Sequence, residues 1–202
     1  MSIHRISLAV TGLATVIVLT ACGGGDSTSD QSSAAGSITS STAAVSSHNG
    51  ADVTFAQMMI AHHQQAIEMA DLAADRASNP QVKDLADRIK AAQGPEMTTM
   101  TGWLDDWGAS ASMPGMDHGD MEMGGMPGSM SSADMDRLMG LSGSEFDRQF
   151  LTMMIGHHQG AIDMAETEQA DGVNPDAVAL AGQIVADQTA QISEMQTLLT
   201  QV

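Results

Sequence analysis

The chain has 202 residues, enough for one domain plus tails. Acidic residues outnumber basic ones 25 to 7, a net charge of −18 with histidine neutral. That balance argues against a nucleic-acid partner, whose phosphates need Lys and Arg, and against electrostatic adhesion to anionic lipid. With no Tyr, three Phe and two Trp against 18 Met, the core must be built from Ala, Leu, Ile, Val and Met, and thioethers are soft and adaptable.

Residues 1–22 read as an export signal, with His4 and Arg5 ahead of an apolar run from Ile6 to Leu19. The run ends Leu19-Thr20-Ala21-Cys22 and is followed by three glycines, which resembles a bacterial lipobox with Cys22 as the lipidated mature N-terminus. A plain secretory signal or a single span are the alternatives, but the run falls short of the ~20 apolar residues a span needs. The expected location is the cell envelope, on the extracytoplasmic side, with membrane contact through the anchor only. Cys22 is the single cysteine, so none remains for a disulfide or a thiolate metal site. Residues 23–50, rich in Gly, Ser, Thr and Ala, read as a flexible tether.

From residue 51 onward the chain reads as one helical bundle: a hairpin over 52–107, a Met-rich linker over 108–143 and a second hairpin over 144–202. In the first hairpin Phe55, Met59, His62, Ala66, Met69 and Ala73 form one helical stripe. Asn79-Pro80 predicts a stop and a restart, with Asn as N-cap and Pro at the first helical position. Val82, Leu85, Ile89, Ala92, Glu96, Met100, Trp103 and Trp107 give the stripe of the next helix, which Gly94-Pro95 should kink.

The linker contains MPGMDHGDMEMGGMPGSM over residues 113–130. Met113, Met116, His118, Met121, Met123 and Met126 make it a weaker capture site for a soft ion, against the alternatives of a low-complexity linker or an oxidant sink. Ser132–Leu141 reads as a short helix, and Ser144 with Asp147 as a weak N-cap for the next one.

The second hairpin repeats the first without gaps. Met58-Met59-Ile60-Ala61-His62-His63-Gln64-Gln65-Ala66-Ile67 returns as Met153-Met154-Ile155-Gly156-His157-His158-Gln159-Gly160-Ala161-Ile162, an offset of 95 residues (153 − 58). Asn174-Pro175 matches Asn79-Pro80. Duplication makes each half one structural unit, and two antiparallel hairpins predict an all-α four-helix bundle.

Residues equidistant from a hairpin turn lie level with each other. Counting from Asn79, His62 faces Glu96 and Met58 faces Met100; counting from Asn174, His157 faces Gln191 and Met153 faces Met195. Pseudo-twofold packing would bring these levels together, with His63 and His158 nearer the flank. Two readings of the histidines stay open. They are hydrogen-bonded core groups, or they bind an ion with the Met residues. Thioether and imidazole together suit Cu(I), with Ag(I) as its mimic, whereas zinc seldom takes Met. The Glu-x-x-His pattern of a di-iron bundle is missing, because Met59 and Met154 stand three residues before His62 and His157.

The word Phe-x-x-Met-Met-Ile-x-His-His-Gln-x-Ala-Ile-x-Met-Ala, present twice, resembles the bacterial secreted family called domain of unknown function 305. The resemblance implies a ferritin-like four-helix bundle with copper-binding roles in the periplasm. It implies site residues Met58, Met59, His62 and His63, then Met153, Met154, His157 and His158, with Gln93, Glu96 and Met100 on the second helix. The fourth helix departs from that pattern with Gln191. The reading is a Cu(I)-binding envelope lipoprotein without enzymatic activity. Its proposed ligands are His62, His63, His157, His158, Met58, Met153, Met100 and Met195, with Glu96 ligating or supporting. The compatible protein partners are a copper-transport protein and a second copy of the chain. A metal-dependent redox enzyme and a metal-free structural or adaptor lipoprotein are the rival classes.

Overall fold

The computed structural model describes residues 47–112 and 126–202. The chain forms α1 (Gly50–Arg76), α2 (Pro80–Trp107), the short α3 (Ser132–Met139), α4 (Gly143–Asp171) and α5 (Pro175–Leu199). The long helices pair as α1 with α2 and α4 with α5, and the two hairpins meet chiefly through α1 and α4. This is the all-α bundle that the duplicated stripes predict, and among the described residues no helix is long and apolar enough to cross a membrane.

Both hairpin turns are made as the Asn-Pro pairs require. Asn79 accepts from the Gln81 N–H, and Asn174 from the Asp176 and Ala177 N–H groups, with Pro80 and Pro175 opening the helices that follow. Helix α1 begins earlier than the expected tether allows. Asn49 caps it in a reciprocal box with Asp52, Gly50 is its first residue, and His48 stacks on Trp107 with ring centroids 4.8 Å apart. Helix α2 continues through Pro95, the position at which the Gly-Pro pair predicts a kink. Thr98 and Thr99 donate their hydroxyls to the carbonyls of Gly94 and Pro95 there.

Asp147 does not cap α4. Ser142 is the N-cap and makes no side-chain cap bond. Asp147 instead crosses to the other hairpin, accepting from the backbone N–H of Ser78 at 3.1 Å, that of Asn79 at 3.0 Å and the Ser78 hydroxyl at 2.5 Å. Asp52, its repeat equivalent, does the same in the other direction, accepting from Val173 at 3.1 Å and Asn174 at 2.9 Å. Each hairpin thus satisfies the turn amides of the other, where helices begin with unpaired donors.

These reciprocal bonds fix the packing sense. The start of α1 meets the α4–α5 turn, and the start of α4 meets the α1–α2 turn, so α1 and α4 are antiparallel. The pseudo-twofold axis therefore crosses the helices rather than running along them. Two apolar cores follow. One gathers Met69, Leu85, Ile89, Phe150, Met153, Met154 and Met195; the other gathers Phe55, Met59, Met100, Leu104, Met164 and Ile184. The histidines lie near the midpoints of α1 and α4, between the two cores.

Candidate metal centre

All four repeat histidines are buried, each 0% exposed. His63 and His158, expected nearer the flank, are as enclosed as His62 and His157. The rings of His62 and His157 meet at a centroid distance of 3.6 Å with planes tilted by 33°. An imidazole on an apolar stripe costs free energy unless bonded, and here the partners differ ring by ring.

The carboxylate and amide expected opposite His62 and His157 go to their neighbours. His63 Nε2 lies 2.7 Å from Glu96 Oε2, and His158 Nε2 lies 2.6 Å from Gln191 Oε1. The hairpins are therefore rotated by one residue, about 100° of helix, from the level pairing. His62 instead donates from Nε2 to the Pro127 carbonyl at 3.1 Å. The Nδ1 atoms of His62, His63 and His158, and both ring nitrogens of His157, have no hydrogen-bond partner among the described residues. The buried side-chain carbonyls of Gln93 and Gln188, equivalent positions in the repeat, are likewise unpartnered there.

Burial keeps His62, His157 and His158 neutral. It pushes His62 down to about 3, with the neighbouring His63 and His158 adding to the shift and the Pro127 carbonyl opposing it. Burial lowers His157 well below its usual range, the other three imidazoles reinforce this, and a weak contact with the His62 backbone opposes it. His158 falls to about 4, again through burial, with Gln191 opposing. Neutral imidazole is the form that ligates metals.

The thioethers do not gather at one level. Met58 and Met100 pack in one core, and Met153 and Met195 in the other. Met58 and Met153 each precede their histidine by four residues, a rise of about 6 Å. Because α1 and α4 are antiparallel, those rises point in opposite directions, and the two Met levels stand about 12 Å apart along the bundle. The expected convergence holds for the imidazole pair and fails for the sulfur atoms. Among the described residues no three His, Cys, Asp or Glu side chains form a ready coordination sphere.

The end of the Met-rich linker is seated on this layer. Met126 is buried, and Gln65 grips the Met130 backbone, donating to its carbonyl at 2.9 Å and accepting from its N–H at 2.7 Å. Gly160, the repeat equivalent of Gln65, supplies the opposite service: a Cβ there would lie 2.0 Å from the Pro127 carbonyl oxygen. Gly128 takes φ +71°, and a Cβ on it would meet the Gly156 carbonyl at 2.5 Å. Met113, Met116, His118, Met121 and Met123 lie outside the described residues, as do Cys22 and the signal segment.

Sequence reading missed three features. The Asp52–Asp147 equivalence also has an offset of 95 (147 − 52), but it lies three residues ahead of the aligned block. The Gln65/Gly160 and Ala61/Gly156 differences are departures within the repeated word and mark the linker's seat. Nothing in side-chain identity signals the Pro127 carbonyl, a backbone atom.

No curated protein sequence matches the chain. Among solved structures, a secreted protein of the DUF305 family from Streptomyces coelicolor is 34% identical with a TM-score of 0.68, covering 75% of this chain and 93% of its own. A DUF305 fragment from Deinococcus radiodurans is 32% identical with a TM-score of 0.68, covering 76% and 98%. CopM in its Cu(I)-bound form is 30% identical with a TM-score of 0.61, covering 74% and 96%, and it has also been solved with Cu(II) and with Ag. Residues 52–199 match the family described as domain of unknown function, DUF305, and the chain belongs to that family.

Proposed function

We propose that this protein is an extracytoplasmic copper-binding lipoprotein that sequesters Cu(I) or passes it on, without catalytic turnover. The observation that carries the reading is the buried, neutral His62–His157 pair, in which His157 has no side-chain partner among the described residues and only a weak contact with the His62 backbone. A buried imidazole so poorly hydrogen-bonded is costly in a core and useful as a ligand. The CopM likeness supports copper and silver as the ions. An ion at the histidine layer would draw thioether donors from one side at a time, Met58 with Met100 or Met153 with Met195. The Met-rich segment ahead of Met126 would be a weaker capture site, and the signal with Cys22 would hold the domain at the membrane. Export through that signal agrees with the secreted relative from Streptomyces coelicolor.

Competition titration of the full-length protein against a chromophoric Cu(I) chelator tests this. We expect His62→Ala with His157→Ala to abolish the tightest equivalent and leave weaker binding. Unchanged stoichiometry and affinity in the double variant would leave the Met-rich segment as the only binder. A metal-free structural role has its own support in the His63–Glu96 and His158–Gln191 bonds. It requires a melting temperature indifferent to Ag(I), whereas ligand at 100 times its Kd adds about 2.7 kcal/mol to the folded state.

A further inference from the structure

Independently of the copper reading, we propose that the groove between the start of α1 and the end of α4 binds a small organic cation, an apolar body carrying a protonated amine. The groove encloses about 450 Å³, within the range of small-molecule sites. Phe55, Met58 and Met164 give it an apolar lining, and its acids are Asp163 and the buried carboxyl of Glu168. Among the described residues no Lys, Arg or His lines it.

The repeat shows what this space looks like when it is packed. At the other end of the bundle Phe146 stands for Ala51 and Leu72 for Thr167, an offset of 95 in each case (146 − 51, 167 − 72). Both lie in the apolar core there, to which α3 adds Met135 and Leu138. Phe146 is buried and stacks on Phe150 with ring centroids 5.7 Å apart. Ala73 and Ala77 of that same core become Glu168 and Gly172 beside the groove. The last exchange has a steric cause. A Cβ on residue 172 would lie 2.3 Å from Glu168 Oε1, so the second hairpin gives up a methyl group to admit the carboxyl. Four departures from the repeat thus meet at one place. They remove apolar filling, which costs stability in a core, and they leave an acid at the edge of the space. Packing alone rewards neither change, whereas a cationic ligand uses both.

Charge selects the class of ligand. Glu168 donates its proton to Asp52, whose carboxylate accepts from the amides of Val173 and Asn174. The two buried carboxyls therefore hold one negative charge, and no described Lys, Arg or His pairs with either. A charge removed from water without a counter-ion is costly. A protonated amine in the groove supplies one, and Asp163 at the rim attracts the same sign. The thioethers and the Phe55 ring take the apolar part, as soft side chains adapt to varied shapes. An anion meets repulsion from both acids.

Calorimetric titration of the full-length protein with phenethylammonium tests this, with phenethyl alcohol as the neutral control and methyl proton–carbon spectra to locate the binding. The amine should bind saturably, shift the Met58 and Met164 methyl signals, and bind roughly 10–100-fold more tightly than the alcohol, the worth of one hydrogen bond to a charged group. Ala51→Phe, which copies the filled end, should abolish binding. Thr167→Leu blocks the same space from an exposed position and should weaken it, with an unchanged far-ultraviolet spectrum showing that the fold is kept. Glu168→Ala should bring the amine down to the affinity of the alcohol. Equal affinity for the two probes, or saturation by neither at millimolar concentration, would overturn the proposal. So would methyl shifts confined to Met69 and Met154, or undiminished binding in folded Ala51→Phe or Thr167→Leu protein.

Discussion

Glu168 shows how one residue can run against the rest of a bundle. It stands where the first hairpin has Ala73, is 1% exposed, and its protonated carboxyl faces Asp52 as a hydrogen-bond donor. Burial pushes it up to about 8, and the hydrogen bond to Asp52 and the charge of that carboxylate add to the shift. Asp52 goes the other way: burial alone would raise it, but the amides of Asn174, Asn49 and Val173 hold it below its usual range. Between pH 4.5 and about 8 the folded chain keeps a proton that the unfolded chain has released. The stability this supplies is full below the unfolded value and is lost as pH rises. Glu168→Gln fixes the neutral form, and urea denaturation at pH 8 should show a gain of about 1–3 kcal/mol, with little change near pH 4.5. A loss at pH 8 would mean that the negative charge itself is needed.

Between elements, the decisive contact is the seating of the linker's end on α4. Gly160→Ala adds helix propensity worth up to about 1 kcal/mol. Its Cβ, however, would lie 2.0 Å from the Pro127 oxygen, a backbone atom that cannot swing away. We expect a net loss of roughly 1–3 kcal/mol and faster amide exchange at Met130, whose N–H is held by Gln65. Gly156→Ala is the matched control: a Cβ there meets nothing within 4 Å. It should be neutral or slightly stabilising by the same two measurements. Equal behaviour of the two variants would show that the seat contributes nothing.

For the whole molecule, the histidine layer sets the response to acid. Three imidazoles titrate below their unfolded value of 6.5, His62 at about 3, His158 at about 4 and His157 well below its usual range. Groups buried neutral stabilise the fold fully above pH 6.5, and that stability is lost as pH falls toward the folded values. Glu168 acts in the opposite direction over part of this window, but three groups outweigh one. Denaturant titrations should show stability falling by several kcal/mol between pH 6.5 and 4, since each tenfold weakening of proton binding by a folded imidazole is worth about 1.4 kcal/mol. The slope should be shallower in His157→Gln. A profile flat across that range would mean that the imidazoles are already charged or exposed in the folded state.

Much of the fold is legible along the chain because it rests on local rules. The stripes at helical spacing, the Asn-Pro turns and the 95-residue repeat determine four long helices in two matched hairpins. The paired histidines and their soft neighbours mark the candidate site for the same reason, as residue identity and spacing are properties of one stretch of chain. The tertiary structure alone decided which atoms meet. Whether the hairpins pack with their symmetry axis along or across the helices depends on Asp52 and Asp147 reaching the opposite turns, contacts between residues far apart in sequence. That choice joins His62 to His157 while sending the two sets of thioethers toward opposite ends. A one-residue rotation hands Glu96 and Gln191 to His63 and His158, because side-chain pairing answers to the packing of whole helix faces rather than to residue counts from a turn.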